Sequence, residues 1–250
     1  MGEKGRRRRA RGRRTRQLGH SRMNPFLSVY CERAGIAGQF AEPLNALSNV
    51  AFLLTVILIW RRLAGEPGLS PRRHWDITAL AGVVFVIGLG SAAWHIWPTR
   101  ATLLSDVIPI TVFIHGFIAV FFHRVLGLAW PWAIGIVLVF AALSFGAPSL
   151  LSTRALGSTT AYLPAYLALL LTTAGLFVAG NPRRYGMLRA TLVWTPSLIL
   201  RSLDGAACAY FPLGTHFLWH MLNATVLYFL LAVLLAAVLD GPRNAPAVAG

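Results

Sequence analysis

Apolar residues run along this chain in long blocks separated by charges, prolines and glycines. Each block approaches the length of a membrane-crossing helix, which needs about 20 mostly apolar residues. Taking charged and Pro/Gly positions as stops predicts helices over roughly 44–60, 77–97, 105–123, 128–147, 158–179, 187–208 and 214–238. The stretches between them are short and no internal repeat is evident. The pattern therefore predicts one all-α domain over about residues 29–240, a seven-transmembrane helix bundle. A disordered Arg-rich tail over 1–28 and a short tail over 241–250 flank it.

Composition sharpens this reading. Of the 250 residues 56% are hydrophobic and only 12% charged, against about 25% charged in an ordinary soluble domain. The net charge of +15 suggests a nucleic-acid partner until it is located: Lys4, Arg6, Arg7, Arg8, Arg9, Arg11, Arg13, Arg14, Arg16 and Arg22 supply ten of the 23 basic residues. A tail of that kind suits anionic lipid headgroups, so no specific nucleic-acid partner is expected. Met23 opens "MNPFLSVYCER" and is an alternative start. The tail has no apolar signal-peptide core, which leaves targeting to the helices.

Loop charge orients the bundle. Arg61, Arg62, Arg72, Arg73, Arg183 and Arg184 follow helices 1, 3 and 5, with Arg124, Arg189 and Arg243 on the same side, whereas only Arg100 and Arg154 follow helices 2 and 4. The N-terminus is expected outside and the C-terminus in the cytosol, against the pull of the tail.

Polar groups inside a bundle are costly and mark candidate sites. Ser91 and His95 end the second predicted helix, Asp106 opens the third, Arg201 and Asp204 end the sixth, and His216 and His220 open the seventh. In an alternating chain all of these ends, together with Cys31, Glu32 and Glu42, lie on one side of the membrane. His216 and His220, four apart on one helix face, can be a hydrogen-bonded core pair or two ligands of one metal. His95 lies at the same depth and favours the metal. His115 is roughly 14 Å deeper than Asp106 at 1.5 Å per residue and His123 deeper still, while His74 is at the opposite interface and His20 in the tail.

Three neutral imidazoles with an open fourth position form the donor set of a catalytic zinc site. "HFLWH" lacks the glutamate of HExxH, so a base must come from elsewhere, and Asp106 is the best-placed carboxylate. Its other use is to favour a helix N-terminus. Ser91 can donate to a developing oxyanion, or turn back to the carbonyl four residues earlier. Arg201 and Asp204, three apart, are expected to neutralise each other; otherwise Arg201 would hold a headgroup or a carboxylate product.

"YCER", "AEPLNALSN", "GSAAWH", "LLSDVIPI" and "PLGTHFLWHMLNA" together resemble the alkaline ceramidase family, seven-helix zinc-dependent lipid amidases grouped with adiponectin-receptor-like proteins. The resemblance spans about residues 29–240. It implies that His95, His216 and His220 bind Zn2+, that Ser91 supports the transition state, and that Asp106 relays protons. It also implies a Ca2+ site in the acidic N-terminal segment, where Glu32 and Glu42 fall at two ligand positions. Val29 and Ala34 stand where eukaryotic members carry oxygen-bearing side chains, and a salt bridge to Arg33 is the other use of the two glutamates. The resemblance also points to a Cys31–Cys208 disulfide, the alternative being two buried thiols.

The implied activity is hydrolysis of the amide bond of ceramide or a related N-acyl lipid, at a site on the non-cytosolic side. The rival is an adiponectin-receptor-like receptor with a structural zinc and no turnover. A retinal-type photoreceptor is excluded, because the only lysine is Lys4. A channel is disfavoured because the polar residues stop halfway through the bilayer.

Overall fold

The computed structural model describes residues 30–33, 39–150 and 157–240. The predicted N- and C-terminal tails lie outside them, as do Met23 and Val29. Among the described residues the chain is all helical. A 3-10 turn, Cys31–Arg33, precedes α1 (Pro43–Ser48), α2 (Val50–Gly65), α3 (Trp75–Ile96), α4 (Arg100–Arg124) and α5 (Trp130–Leu150). After a second 3-10 turn, Gly157–Tyr162, come α6 (Leu163–Val178), α7 (Arg184–Ala207) and α8 (His216–Asp240).

Five stretches are long and apolar enough to cross a membrane: Pro43–Gly65, Trp75–Ile96, Arg100–Arg124, Thr159–Val178 and His216–Asp240. Between residues 130 and 146, α5 forms a shorter apolar helix. α7 carries Arg184, Arg189, Arg201 and Asp204. Leu54, Ile57, Val86, Leu89, Ile108, Val112, Leu138, Leu171 and Ile199 are exposed on several different helices. Apolar surface so widely spread is far beyond what a water-soluble monomer tolerates and fits a lipid solvent. The protein is a multi-pass membrane protein in this coarse sense.

The helices bury stripes of period 3.6, and the candidate site residues extend two of those stripes. On α3, Ile77, Leu80, Ala81, Val84, Ile87 and Gly88 lead directly to Ser91, Trp94 and His95. On α8, His216, Trp219, His220 and Asn223 open the face that continues through Leu227, Leu230, Leu231 and Leu234. α3 packs along α4 and α7 along α8, with α2 against both α3 and α8. Tight approaches use glycine: a Cβ on Gly90 would collide with the Ser105 carbonyl of α4. That carbonyl lacks its usual helical partner, because Pro109 has no N–H to donate.

Helix starts depart from expectation in one useful place. α4 begins at Arg100, capped by Thr99, whose hydroxyl accepts from Thr102 N while Thr102 returns the bond. Asp106 therefore sits in the second turn and is not a cap, which removes the structural use open to it in sequence.

Candidate metal centre

His95, His216 and His220 are each at most 1% exposed, and one nitrogen from each lies within 4.8 Å of the others. They come from α3 and α8, and their orientation is set from outside those helices. His95 Nδ1 donates to Glu42 Oε2 at 2.5 Å. Burial pushes the Glu42 carboxyl up, but hydrogen bonds from His95, Arg33 and Asn45 outweigh it and hold the group below its ordinary range, hence ionised. An ionised partner requires the proton on His95 Nδ1 and leaves a lone pair on Nε2.

His220 reaches the same state by another route. Ser48 Oγ lies 2.8 Å from Asn45 O and 2.7 Å from His220 Nδ1. With the hydroxyl proton on Asn45 O it accepts from His220 Nδ1, the tautomer that makes Nε2 a bare lone pair as well. The two Nε2 atoms face each other at 3.3 Å. Two lone pairs at that distance repel unless a proton or a metal ion lies between them. Tetrahedral zinc with bonds of about 2.0–2.1 Å sets its nitrogen ligands about 3.3–3.4 Å apart.

His216 is held by stacking. Tyr30 lies on the imidazole at 3.8 Å between ring centroids and Trp219 at 5.2 Å. Burial pushes the Tyr30 phenol up to about 12, so it stays protonated. His216 Nδ1 is buried without a hydrogen-bond partner, which leaves this nitrogen available to a cation. Nitrogen donors, the 3.3 Å spacing of His95 and His220 and this orphaned atom fit a metal ion held by the three histidines.

Asp204 places His216. Its Oδ1 accepts from Thr215 N at 2.7 Å and His216 N at 2.9 Å, closing the N-terminus of α8, and its Oδ2 accepts from Cys31 N at 3.0 Å. Gly214, at φ 68°, is required in the turn before α8, since a Cβ there would strike Asp204 and Cys31. The expected neutralisation of Arg201 by Asp204 is thus overturned: the carboxylate is spent on backbone N–H groups. The Arg201 guanidinium lies 4.5 Å from the Trp219 ring centroid and 5.1 Å from that of Tyr162.

Ser91 is 1% exposed. Its hydroxyl is buried without a hydrogen-bond partner, so it does not bond the carbonyl four residues earlier, and it lies near the Asp106 carboxyl without bonding it. Asp106 is half-buried with Oδ1 shielded, and Arg201 is a charged neighbour. Gly90 is what lets α3 and α4 bring these two together. Below the site, one turn deeper on each helix, Ile87, Ile110 and Asn223 line a cavity of about 290 Å³. It continues between α4, α5, α6 and α8 past Phe113, Phe117, Phe140, Leu169 and Leu230.

Cys31 and Cys208 are joined by a disulfide, with Cα atoms 5.2 Å apart, tying the N-terminal segment to the end of α7. The two glutamates expected at a calcium site are engaged otherwise. Glu32 accepts from Leu44 N and Asn45 N at 2.6 and 2.8 Å, and Glu42 is paired with Arg33 and His95. Calcium wants six to eight oxygens, and these four carboxylate oxygens each face an N–H donor. The donor set does not fit calcium. His115, His123 and His74 stay apart from the triad, each bonded to a backbone carbonyl near it in sequence.

Sequence reasoning passed over Tyr30, Ser48 and the placing role of Asp204. Ser48 carried a usable signal, a hydroxyl in the first turn of an apolar helix beginning on the site's side. Compared with models of known protein families and with curated proteins, the chain matches none.

Proposed function

We propose that the protein is a zinc-dependent intramembrane hydrolase that cleaves the amide bond of ceramide or a related N-acyl lipid, releasing a fatty acid and a long-chain amine. The observation that carries this reading is the placement of three buried imidazoles, with Ser91 and Asp106, at the head of a long apolar cavity. On this reading α2 to α8 are seven membrane spans, with the N-terminus outside and the site in the non-cytosolic leaflet. α7 crosses despite its polar residues because Asp204 is fully engaged and Arg201 is shielded by aromatic rings.

His95, His216 and His220 hold the metal. When bound, zinc supplies Lewis acidity, which polarises a carbonyl and makes water nucleophilic near neutral pH. Glu42 and Ser48 keep Nε2 of His95 and His220 unprotonated, so the donors need no rearrangement. Ser91 donates its hydroxyl proton toward the oxygen of the attacked carbonyl, where negative charge develops. Asp106 takes a proton from the attacking water and passes it to the amide nitrogen as the C–N bond breaks. The acyl chain lies in the cavity below. The wall from Ile110 to Phe122 of α4 is about 18 Å long at 1.5 Å per residue, more than half of an apolar bilayer core of about 30 Å.

The test is release of fatty acid from a panel of ceramides and N-acyl lipids by purified protein, compared with His216→Ala and with metal-stripped protein. Metal-dependent release is expected, abolished in the variant. Zinc bound at one equivalent with no turnover on any lipid would refute the hydrolase and favour a receptor with a structural metal.

A further inference from the structure

We infer that the Arg33 guanidinium is the resident cation of the acidic N-terminal segment, in the position that the family resemblance gives to calcium. It acts as a positioning residue for His95, so that metal binding at the triad is indifferent to calcium. The inference rests on the reading of the triad as a zinc site.

Arg33 is 0% exposed, an extreme for a side chain that normally keeps its charge in water. Its Nε donates to Glu42 Oε1 and one terminal nitrogen donates to His95 O at 3.1 Å. The same Glu42 holds His95 Nδ1 through its other oxygen, with Asn45 Nδ2 at 3.1 Å on that oxygen. One guanidinium thus grips both the backbone of His95 and the carboxylate that orients its ring. These are the oxygens a divalent cation would have to take. Glu32 is not in competition for it, because both its oxygens close the N-terminus of α1.

Charge leads to the same conclusion. A buried carboxylate needs a compensating charge and saturated hydrogen bonds, and Glu42 obtains the charge from Arg33 and the bonds from Arg33, His95 and Asn45. A calcium ion entering here would have to displace a fully buried guanidinium from Glu42. A guanidinium is covalently part of the chain and stays charged at any physiological pH. The contact therefore forms with folding and carries no dependence on calcium concentration.

The experiment uses the full chain, purified in lipid nanodiscs and freed of calcium. Zinc affinity and thermal stability are measured with and without millimolar Ca2+, and the absorption spectrum of the Co2+-loaded protein is recorded. Wild-type protein is expected to show the same zinc affinity and midpoint in both conditions. Arg33→Gln is expected to lose about 10–100-fold in zinc affinity, the usual effect of removing a partner that orients a ligand, with an altered Co2+ spectrum. Arg33→Lys, which keeps the charge, is expected to recover part of the affinity.

Calcium raising the zinc affinity or the midpoint of wild-type protein would overturn the inference, and that arm decides even if Arg33→Gln does not fold. So would a folded Arg33→Gln, its disulfide intact, with unchanged zinc affinity and Co2+ spectrum. Failure of wild-type protein to bind zinc at all would instead remove the reading on which the inference stands.

Discussion

Gly90→Ala tests the geometry with the smallest possible change, one methyl group. A Cβ at position 90 would lie 2.6 Å from the carbonyl carbon of Ser105 and 3.3 Å from Asp106 N, and closer still to the Ser105 oxygen. Carbon atoms settle at about 3.5–4.0 Å, so α3 and α4 must part by about 1 Å at this level. The obstacle is backbone, which has no rotamer to yield. Overpacking of this kind costs about 1–3 kcal/mol of stability. The larger effect falls on the pair that the contact brings together, Ser91 on α3 and Asp106 on α4. A 1 Å misplacement of reacting groups costs about 100-fold in rate, or about 2.7 kcal/mol of transition-state stabilisation. The triad joins α3 to α8 and not to α4, so zinc stoichiometry is expected to stay near one. The assay pairs zinc content by mass spectrometry with fatty-acid release from the best lipid of the panel. Wild-type turnover in a folded, zinc-replete Gly90→Ala protein would refute the claim that this close approach sets the catalytic pair.

Glu42→Gln keeps the shape but offers an amide where two donors arrive. Zinc affinity is expected to fall about 10–100-fold, and loss of the buried ion pair with Arg33 to cost about 3–5 kcal/mol, read by zinc competition and chemical denaturation. Asp204→Asn puts an NH2 against backbone N–H groups, and a loss of about 1–3 kcal/mol is expected, with the disulfide still forming as judged by intact mass. Acidification separates two effects. Glu42 has its pKa lowered from 4.5, so its contribution to stability is present above that value and is lost only as pH falls through the lower folded one. Protons compete with a metal for the lone pairs of its imidazole ligands. Zinc is therefore expected to leave on acidification while the thermal midpoint of the metal-free protein still holds; parallel loss of both would place the weak point in Glu42.

Local spacing made half of this site legible. His216 and His220 at i and i+4, and Ser91 and His95 likewise, need only helical periodicity to share faces, and alternation of helices supplies the common depth. The other half depends on contacts between distant positions. Glu42 is 53 residues from His95, Ser48 is 172 from His220, and Cys31 is 173 from Asp204. No periodicity announces such pairs. Arg201 and Asp204 misled for a related reason: three apart on a helix they look like partners, but the turn at Gly214 brings two N–H donors to Asp204 and the N-terminal segment a third. The acidic segment was ambiguous in kind. A pair of glutamates reads the same whether the cation between neighbouring segments is an ion from solution or the next arginine in the chain.

The supports of the three histidines explain how a site this dry is assembled. His95 is oriented by a carboxylate, His220 by a hydroxyl and His216 by stacked rings, and Glu42, Ser48 and Tyr30 all precede α2 in the chain. The N-terminal segment thus helps to build the histidine cluster and is not merely near it. Its start is held by the Cys31–Cys208 disulfide and by the bond from Cys31 N to Asp204, and Asp204 also fixes the start of α8. Removing either link would loosen Tyr30 from His216 at the same time as it freed the chain end. With the segment fastened over the imidazoles, the site is covered on the side facing away from the cavity. The apolar cavity lies on the opposite side, walled by α4, α5 and α6. For a lipid substrate the open direction is then sideways from the bilayer, chain first into the cavity. Its amide would come to rest where the chain ends, between Ser91, Asp106 and the three nitrogens.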